Sequence, residues 1–165
     1  MLSNELVIDA FERIKEVVHT TVEGLSIDNL TFRPTKSANS IAWLVWHLSR
    51  IQDDHIAGVA QNKQVWSQEW YQKFALPFQE SETGYGHGSG DIAAVQPDAA
   101  LLLGYYDAVH DVTIDYVRGL KEADYANIVD KNWNPPVTLA VRLVSVISDD
   151  LQHAGQAAYV RGLLQ

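Results

Sequence analysis

Four long stretches of this chain place apolar residues at intervals of three and four, and none alternates apolar and polar residues over a convincing length. Intervals of three and four match the turn of an α-helix, whereas strict alternation is the pattern of a β-strand. The stretches cover about residues 4–23, 40–60, 98–120 and 138–164. The pattern therefore predicts an all-α protein built from four amphipathic helices.

The connections between these stretches differ in length. Pro34 lies in the first connection and Pro135 and Pro136 lie in the last, where they cannot continue a helix. The connection over residues 61–97 is longer and includes the glycine-rich run TGYGHGSG. So long a connection is usually functional or disordered. We expect a single domain over residues 1–165, a four-helix bundle with a long connection between its second and third helices.

Composition excludes several classes of function. A net charge of −9 with scattered lysines and arginines argues against a nucleic-acid or anionic membrane partner, because both need clustered basic residues. The chain has no cysteine, so thiolate ligands and a cysteine nucleophile are excluded, and any thiol must arrive with a substrate. The run MLSNELVIDAFERIKEVV mixes charged and apolar residues, unlike a secretory signal. We expect a cytoplasmic protein with no membrane span.

Three side chains on the second and last predicted helices suit a divalent metal ion. His47 lies in the apolar run AWLVWHLSR, and Asp149 and His153 are four residues apart, which places them on one helical face. Small residues after His153 permit a neighbouring helix to approach closely. Two imidazoles and one carboxylate describe a catalytic zinc site, and equally a ferrous iron site. The same residues are compatible with hydrogen bonds inside a core, so their spacing leaves both interpretations open.

Two further pairs are candidate catalytic residues. Arg50 and Asp54 lie one and two turns beyond His47, where they either orient the ligands or form an ordinary interhelical salt bridge. Tyr85 and His87 lie in the glycine-rich connection. They either close over a pocket and supply a proton, or belong to a disordered surface loop.

Two motifs resemble those of a known superfamily. SIAWLVWHLSR and DDLQHAGQAAYVRG are similar to the second-helix and last-helix motifs of the DinB-like superfamily, and the likeness covers nearly the whole chain. The runs GYGH and PPVTLAVRLVSVISDDLQHAGQ resemble an actinobacterial branch of it. The resemblance implies a four-helix bundle that holds zinc or nickel between helices, with His47, Asp149 and His153 as ligands. Asp149 replaces the usual histidine, as a glutamate does in the mycothiol-dependent maleylpyruvate isomerase branch.

The resemblance also implies an activity. Thiol transferases of this superfamily use a low-molecular-weight thiol such as mycothiol or bacillithiol, and a metal-bound thiol is deprotonated at neutral pH. We therefore expect a metal-dependent thiol S-transferase or isomerase that joins such a thiol to a small-molecule electrophile. Arg142, or Arg50, would bind a carboxylate of the thiol or the substrate. Residues 61–97 would shape the electrophile pocket, and a homodimer is expected.

Two alternatives to this activity stay open. In the first, the same metal ion activates water and the protein is a metal-dependent hydrolase. In the second, the protein is a non-enzymatic small-molecule-binding or metal-binding bundle associated with stress. Its polar cluster would then be structural, with Asp149 bonded to His153 or Arg50.

Overall fold

Seven α-helices and one two-stranded sheet form the main elements of residues 2–164, the part of the chain that this computed structural model describes. In chain order the helices are α1 (Ser3–Val22), α2 (Ile27–Thr31), α3 (Ile41–Ala60), α4 (Tyr71–Phe74), α5 (Ser89–Ala94), α6 (Ala99–Arg118) and α7 (Leu139–Gly162). A π-helical turn (Trp66–Trp70) precedes α4, and a 3₁₀ turn (Glu122–Ala126) follows α6. Among the described helices, none combines the length and apolarity that a bilayer span requires.

The four longest helices form the predicted bundle. α1, α3 and α6 are 20 residues long and α7 is 24, and both α1 and α3 pack against α6 and α7. Their observed ends lie within two residues of the predicted ones. The all-α prediction is therefore confirmed, and so is the long connection between the second and third bundle helices.

Three of the bundle helices begin at a capping side chain. Ser40, Asp98 and Thr138 each accept a hydrogen bond from the backbone N–H three residues later, over 3.1, 2.7 and 3.3 Å. Such a bond satisfies one of the donors that the first turn of a helix leaves free. Because these caps are local, they fix where α3, α6 and α7 begin independently of tertiary packing.

The central helix of the bundle is α3. Every residue from Ile41 to Asp53 is buried, including His47, Arg50 and Asp53. Charged groups are buried at such positions only when other polar groups satisfy them. The long connection supplies many of those groups, so α3 and the segment between α3 and α6 together determine the shape of the functional region.

The connection between α3 and α6 is packed into the core. Trp66, Phe74, Phe78 and Val95 are buried in the same hydrophobic cluster as the bundle helices. Asp53 on α3 accepts hydrogen bonds from the backbone N–H groups of Val65 and Trp66, at 2.8 and 2.7 Å. The alternative that this connection is a disordered loop is therefore wrong.

A short antiparallel hairpin precedes α7 and was absent from the sequence prediction. It pairs β1 (Ile128–Asp130) with β2 (Val137–Thr138). Strands of three and two residues are too short to show an alternating pattern, which explains why the sequence does not reveal them. The hairpin places Asp130 beside the first turn of α7, where it contacts Arg142.

Candidate metal centre

The structure brings His47, Asp149 and His153 together where α3 packs against α7. One ligand atom from each of the three residues lies within 4.8 Å of the others. The imidazole rings are 4.9 Å apart and inclined by 72°. Nε2 of His153 is 3.7 Å from Oδ1 of Asp149. Residues 106 positions apart in the sequence (153 − 47) thus form one polar cluster that could hold a metal ion.

Each imidazole uses Nδ1 for a hydrogen bond and leaves Nε2 available. Nδ1 of His47 donates to the carbonyl oxygen of Thr83 over 2.5 Å, and Nδ1 of His153 lies 2.9 Å from Oε1 of Gln156. An acceptor on Nδ1 fixes the tautomer in which Nε2 carries a free lone pair, as in most histidine metal sites. Oδ2 of Asp149 has no hydrogen-bond partner among residues 2–164. Three donor atoms are therefore free to coordinate, and the donor set fits a divalent ion.

The electrostatic surroundings favour neutral His47. Burial lowers its pKa, and the nearby ring of His153 lowers it further, against the opposing effects of the Thr83 carbonyl and the charge of Asp149. A neutral imidazole is the form that binds metal. The next acidic residue along α7, Asp150, faces the interior instead, and burial raises its pKa well above the usual range. Of the two adjacent acids, only Asp149 belongs to the cluster.

Sequence reasoning missed the groups that hold His47 in place. The indole of Trp43 stacks on its ring at 4.7 Å with an interplanar angle of 15°. Gly84 has a φ of +107°, and a Cβ at that position would lie 2.6 Å from Nδ1 of His47. The glycine is required because the backbone of Thr83 must pass directly against the ring. The only sequence signal for this contact is the glycine itself, within TGYG.

Tyr85 and His87 occupy different positions relative to the cluster. Tyr85 is 72% exposed, and its ring meets that of His47 edge-on at 5.5 Å. His87 is buried behind Trp43, whose indole N–H donates to its Nδ1 over 3.1 Å, and it stacks on Trp46. Nε2 of His87 faces Glu82. Tyr85 therefore borders the open side of the cluster, whereas His87 supports Trp43 from behind.

Arg50 and Asp54 do not form the predicted pair. The Arg50 guanidinium is fully buried and donates to Oε1 of Gln64 over 2.7 Å, while Nε2 of Gln64 donates to Asp54 over 2.7 Å. The acid nearest Arg50 is Asp53, at 3.8 Å. The prediction of a direct Arg50–Asp54 pair is wrong, because the Arg50 side chain turns into the bundle while Asp54 faces the surface.

Arg50 instead anchors the connection that carries Thr83. Its Nε donates to the carbonyl oxygen of Glu82, and its Nη2 donates to that of Glu80, each over 3.2 Å. The residue after Glu82 is Thr83, whose carbonyl accepts from His47. Arg50 therefore supports His47 through the backbone of residues 80–83 and touches neither of the α7 ligand candidates directly.

Arg142 lies at a separate polar pocket along the same seam between α3 and α7. It donates to Asp130 over 3.0 Å and lies 3.5 Å from Nδ1 of His55. These residues and Asp54 line a pocket of about 420 Å³. Arg142 precedes Asp149 by seven residues, which is about 10 Å along the helix axis. The pocket therefore begins roughly 10 Å from the cluster along α7.

Comparisons with known proteins agree with this architecture. The model of the mycothiol-S-transferase family matches residues 6–165. The fold is similar to the crystal structure of a conserved protein from Enterococcus faecalis, with a TM-score of 0.90 and 33% sequence identity, covering 98% of this chain and 96% of that one. Among proteins of curated function, none matches this sequence significantly. The chain therefore belongs to the mycothiol-S-transferase family, within the DinB-like superfamily.

Proposed function

We propose that this protein is a metal-dependent thiol S-transferase or isomerase that uses a mycothiol-like low-molecular-weight thiol. The observation that carries the proposal is the His47–Asp149–His153 cluster, in which both Nδ1 atoms are engaged and the remaining donor atoms are free. Family membership supports the thiol cosubstrate. The chain has no cysteine, so the reacting sulfur must come from that cosubstrate.

His47, Asp149 and His153 would hold the ion, and zinc or nickel suits two imidazoles and one carboxylate. When bound, the ion supplies Lewis acidity that lowers the pKa of a thiol and so provides thiolate at neutral pH. Thr83 and Gln156 keep the two imidazoles in the required tautomer. These two acceptors therefore orient Nε2 of both imidazoles for coordination whether or not an ion is bound.

Tyr85 is our candidate for a proton donor. Partial burial raises the pKa of its phenol, and the charges of Asp149 and Asp54 raise it further against the opposing effect of Arg142. The hydroxyl therefore keeps its proton at neutral pH and is available to hydrogen-bond a leaving group or a carbonyl oxygen. Its position on the exposed side of His47 supports this role. We give His87 no such role, since its ring nitrogens already face Trp43 and Glu82.

Arg142 is our candidate for binding the polar part of the thiol. Its guanidinium, together with His55, gives the 420 Å³ pocket groups that pair with carboxylates or hydroxyls. A sugar-containing or acidic thiol that reaches from this pocket must span about 10 Å to bring its sulfur to the cluster. The pocket supports the role that we propose for Arg142, and Arg50 is too deeply buried to share it.

We propose a cytoplasmic homodimer, and an exposed apolar stripe on α7 supports self-association: Val141, Val144 and Leu151 are all more than half exposed. Sedimentation equilibrium of the purified protein tests the assembly. A single species with the monomer mass of 18.4 kDa at micromolar concentration would reject the dimer.

Metal analysis tests the proposed centre. Protein supplemented with zinc or nickel is expected to retain one ion per chain and to conjugate mycothiol to an electrophile, whereas His47→Ala loses both properties. His19→Ala is the matched control, because His19 bonds Asp107 and Glu23 far from the cluster. Retention of the metal by His47→Ala would reject the centre. Turnover of an ester without any thiol would instead identify the hydrolase, and a metal-loaded protein without turnover would identify a binding bundle.

A further inference from the structure

An apolar groove adjoins the candidate metal centre on the side away from Arg142. It encloses about 500 Å³ between the segment before α3 and the last turns of α7. Its lining is mostly apolar and contains no acidic or basic side chain. The residues that shape it are Pro34, Ala38, Leu44, Gly155, Tyr159 and Val160.

The groove borders the metal centre through one shared side chain. Gln156 forms part of its lining, and the same side chain accepts from Nδ1 of His153. Leu44 precedes His47 by three residues, which is about 4.5 Å along α3. Residues of the groove wall therefore lie within one helical turn of His47 and of His153.

The two ends of the α3–α7 seam have opposite chemistry. Beyond His47 toward the end of α3, the seam opens into the pocket of Arg142 and His55, whose lining also includes the carboxylates of Asp54 and Asp130. In the other direction it opens into the uncharged groove of Leu44 and Val160. The cluster lies between the two, so two reactants of different polarity can meet there.

We propose that this groove binds the apolar group of the electrophile, and that the substrate class is an uncharged electrophile carrying an aromatic or aliphatic group. The proposal rests on the proposed function for its chemistry. The thiol sulfur bonds to the electrophilic carbon, and the bond from that carbon to its leaving group breaks. The leaving group departs with the bonding electron pair, and the thiol proton is released to water.

This assignment replaces an expectation from the sequence. Residues 61–97 were expected to shape the electrophile pocket, but none of the groove residues comes from that segment. The segment instead packs against α3 and supplies Thr83 and Tyr85 to the centre. A charged substrate would lose hydration in the groove without gaining a partner, which disfavours it.

Two glycines of α7 offer a matched pair of variants. A Cβ at Gly155 or at Gly162 would meet no atom within 4 Å, so either position accepts the first atom of a side chain without a clash. Gly155 lines the groove, whereas Gly162 does not. Gly155→Leu therefore fills the groove with a side chain, and Gly162→Leu makes the same chemical change outside it.

The reaction to measure is conjugation of mycothiol to 4-nitrobenzyl chloride, an uncharged aromatic electrophile. In Gly155→Leu the aromatic ring of this substrate can no longer be buried in the groove, so kcat/KM is expected to fall about 30-fold. Iodoacetamide, which is small and polar, should lose much less activity in this variant than 4-nitrobenzyl chloride does. Gly162→Leu should match the wild type with both electrophiles. Tyr159→Ser, which removes an exposed groove wall, is expected to lower kcat/KM for 4-nitrobenzyl chloride about 5-fold.

Binding of the unreactive analogue 4-nitrotoluene, followed by NMR in the metal-free protein, gives a readout independent of turnover. Wild type and Gly162→Leu should bind it, and Gly155→Leu should bind it at least 30-fold more weakly. Equal binding by Gly155→Leu and wild type overturns the groove assignment. If binding depends on Gly155 but no electrophile is conjugated by the metal-loaded wild type, the proposed function fails while the groove remains an apolar ligand site.

Discussion

The backbone of Thr83 contacts His47, and this contact leaves no room for a side chain at Gly84. The Thr83 carbonyl reaches Nδ1 only because Gly84 brings the backbone against the imidazole. Groups that orient a metal ligand in this way commonly contribute a 10-fold to 100-fold factor in metal affinity. The contact is therefore a direct test of whether the orientation of His47 matters.

Gly84→Ala should weaken zinc binding at least 10-fold. Its Cβ would lie 2.6 Å from Nδ1 of His47, so the ring or the backbone of Thr83 must move. Gly86→Ala is the control, because Gly86 also has a positive φ, +77°, but its Cβ would meet no atom within 4 Å. Competition with a chromogenic chelator measures both affinities. Equal zinc affinity in the two variants would contradict the role given to this contact.

A second residue-scale prediction concerns His110, which is buried on α6. Burial lowers its pKa, and Lys15 on α1 lowers it further, while Glu12 on α1 and Asp111 beside it oppose the shift. A histidine with a lowered folded pKa stabilises the native state fully above its unfolded value of about 6.5. That contribution is lost as the pH falls through this value toward the folded pKa.

We expect the loss of stability between pH 7.5 and 5.5 to be smaller in His110→Gln than in the wild type. The pKa of His19 shifts in the opposite direction. Burial alone would lower this pKa, but hydrogen bonds to Asp107 and Glu23 outweigh burial and raise it. Its protonation therefore adds stability as the pH falls, and His19→Gln should steepen the loss. Urea unfolding at each pH, with a chelator present throughout, measures the three slopes. Identical slopes would contradict the assignment of both histidines.

At the scale of elements, Arg50 joins α3 to the connection that follows it. Its buried guanidinium satisfies carbonyl oxygens of Glu80 and Glu82 as well as Gln64, and it stacks over Trp66 at 4.9 Å. Removing one partner of a buried charged network leaves the others unsatisfied. Replacing Arg50 should therefore lower the free energy of unfolding and also make residues 79–83 less ordered.

Arg50→Met should lower the free energy of unfolding by about 3 kcal/mol. Arg118→Met, which removes the exposed pair with Asp115 at 3.0 Å, should change it by less than about 0.5 kcal/mol. Urea denaturation measures both values. Hydrogen exchange should also accelerate at residues 79–83 in Arg50→Met alone. Unchanged exchange there would show that Arg50 does not anchor the segment.

The long helices could be predicted from the sequence because their signals are local. A period of 3.6 residues and the caps at Ser40, Asp98 and Thr138 need no knowledge of tertiary contacts. The sequence did not reveal that the connection is ordered, because the residues that hold it, Asp53 and Arg50, lie on α3. The hairpin was missed because two-residue and three-residue strands carry no period.

The three cluster residues were also accessible from the sequence, through one helical spacing on α7 and the resemblance of both motifs. The groups that hold these three side chains in place could not be predicted from the sequence. Thr83 contributes a backbone oxygen, which no residue type encodes, and Gln156 acts on His153 from one turn away. Arg50 has a role different from the predicted one, because sequence spacing indicates which residues share a helical face but not where a long side chain ends.

At the scale of the whole molecule, the seam between α3 and α7 carries the proposed metal ligands and both proposed reactant sites, while the connection after α3 adds Thr83 and Tyr85. The cluster occupies the middle of the seam, the charged pocket of Arg142 one end, and the uncharged groove of Leu44 and Val160 the other. α1 and α6 complete the bundle on the opposite side. In the proposed function, the α3–α7 pair therefore positions both reactants, and α1 and α6 pack behind it.

The presence and position of the metal ion are the central claim, and anomalous diffraction tests them most directly. Crystals grown with zinc chloride, measured on both sides of the zinc absorption edge, should show one strong anomalous peak per chain. We expect it about 2.0–2.1 Å from Nε2 of both His47 and His153, and at a similar distance from a carboxylate oxygen of Asp149. A crystal with no peak among these three side chains, or with zinc bound by the α7 pair while His47 stays out of reach, would contradict the account.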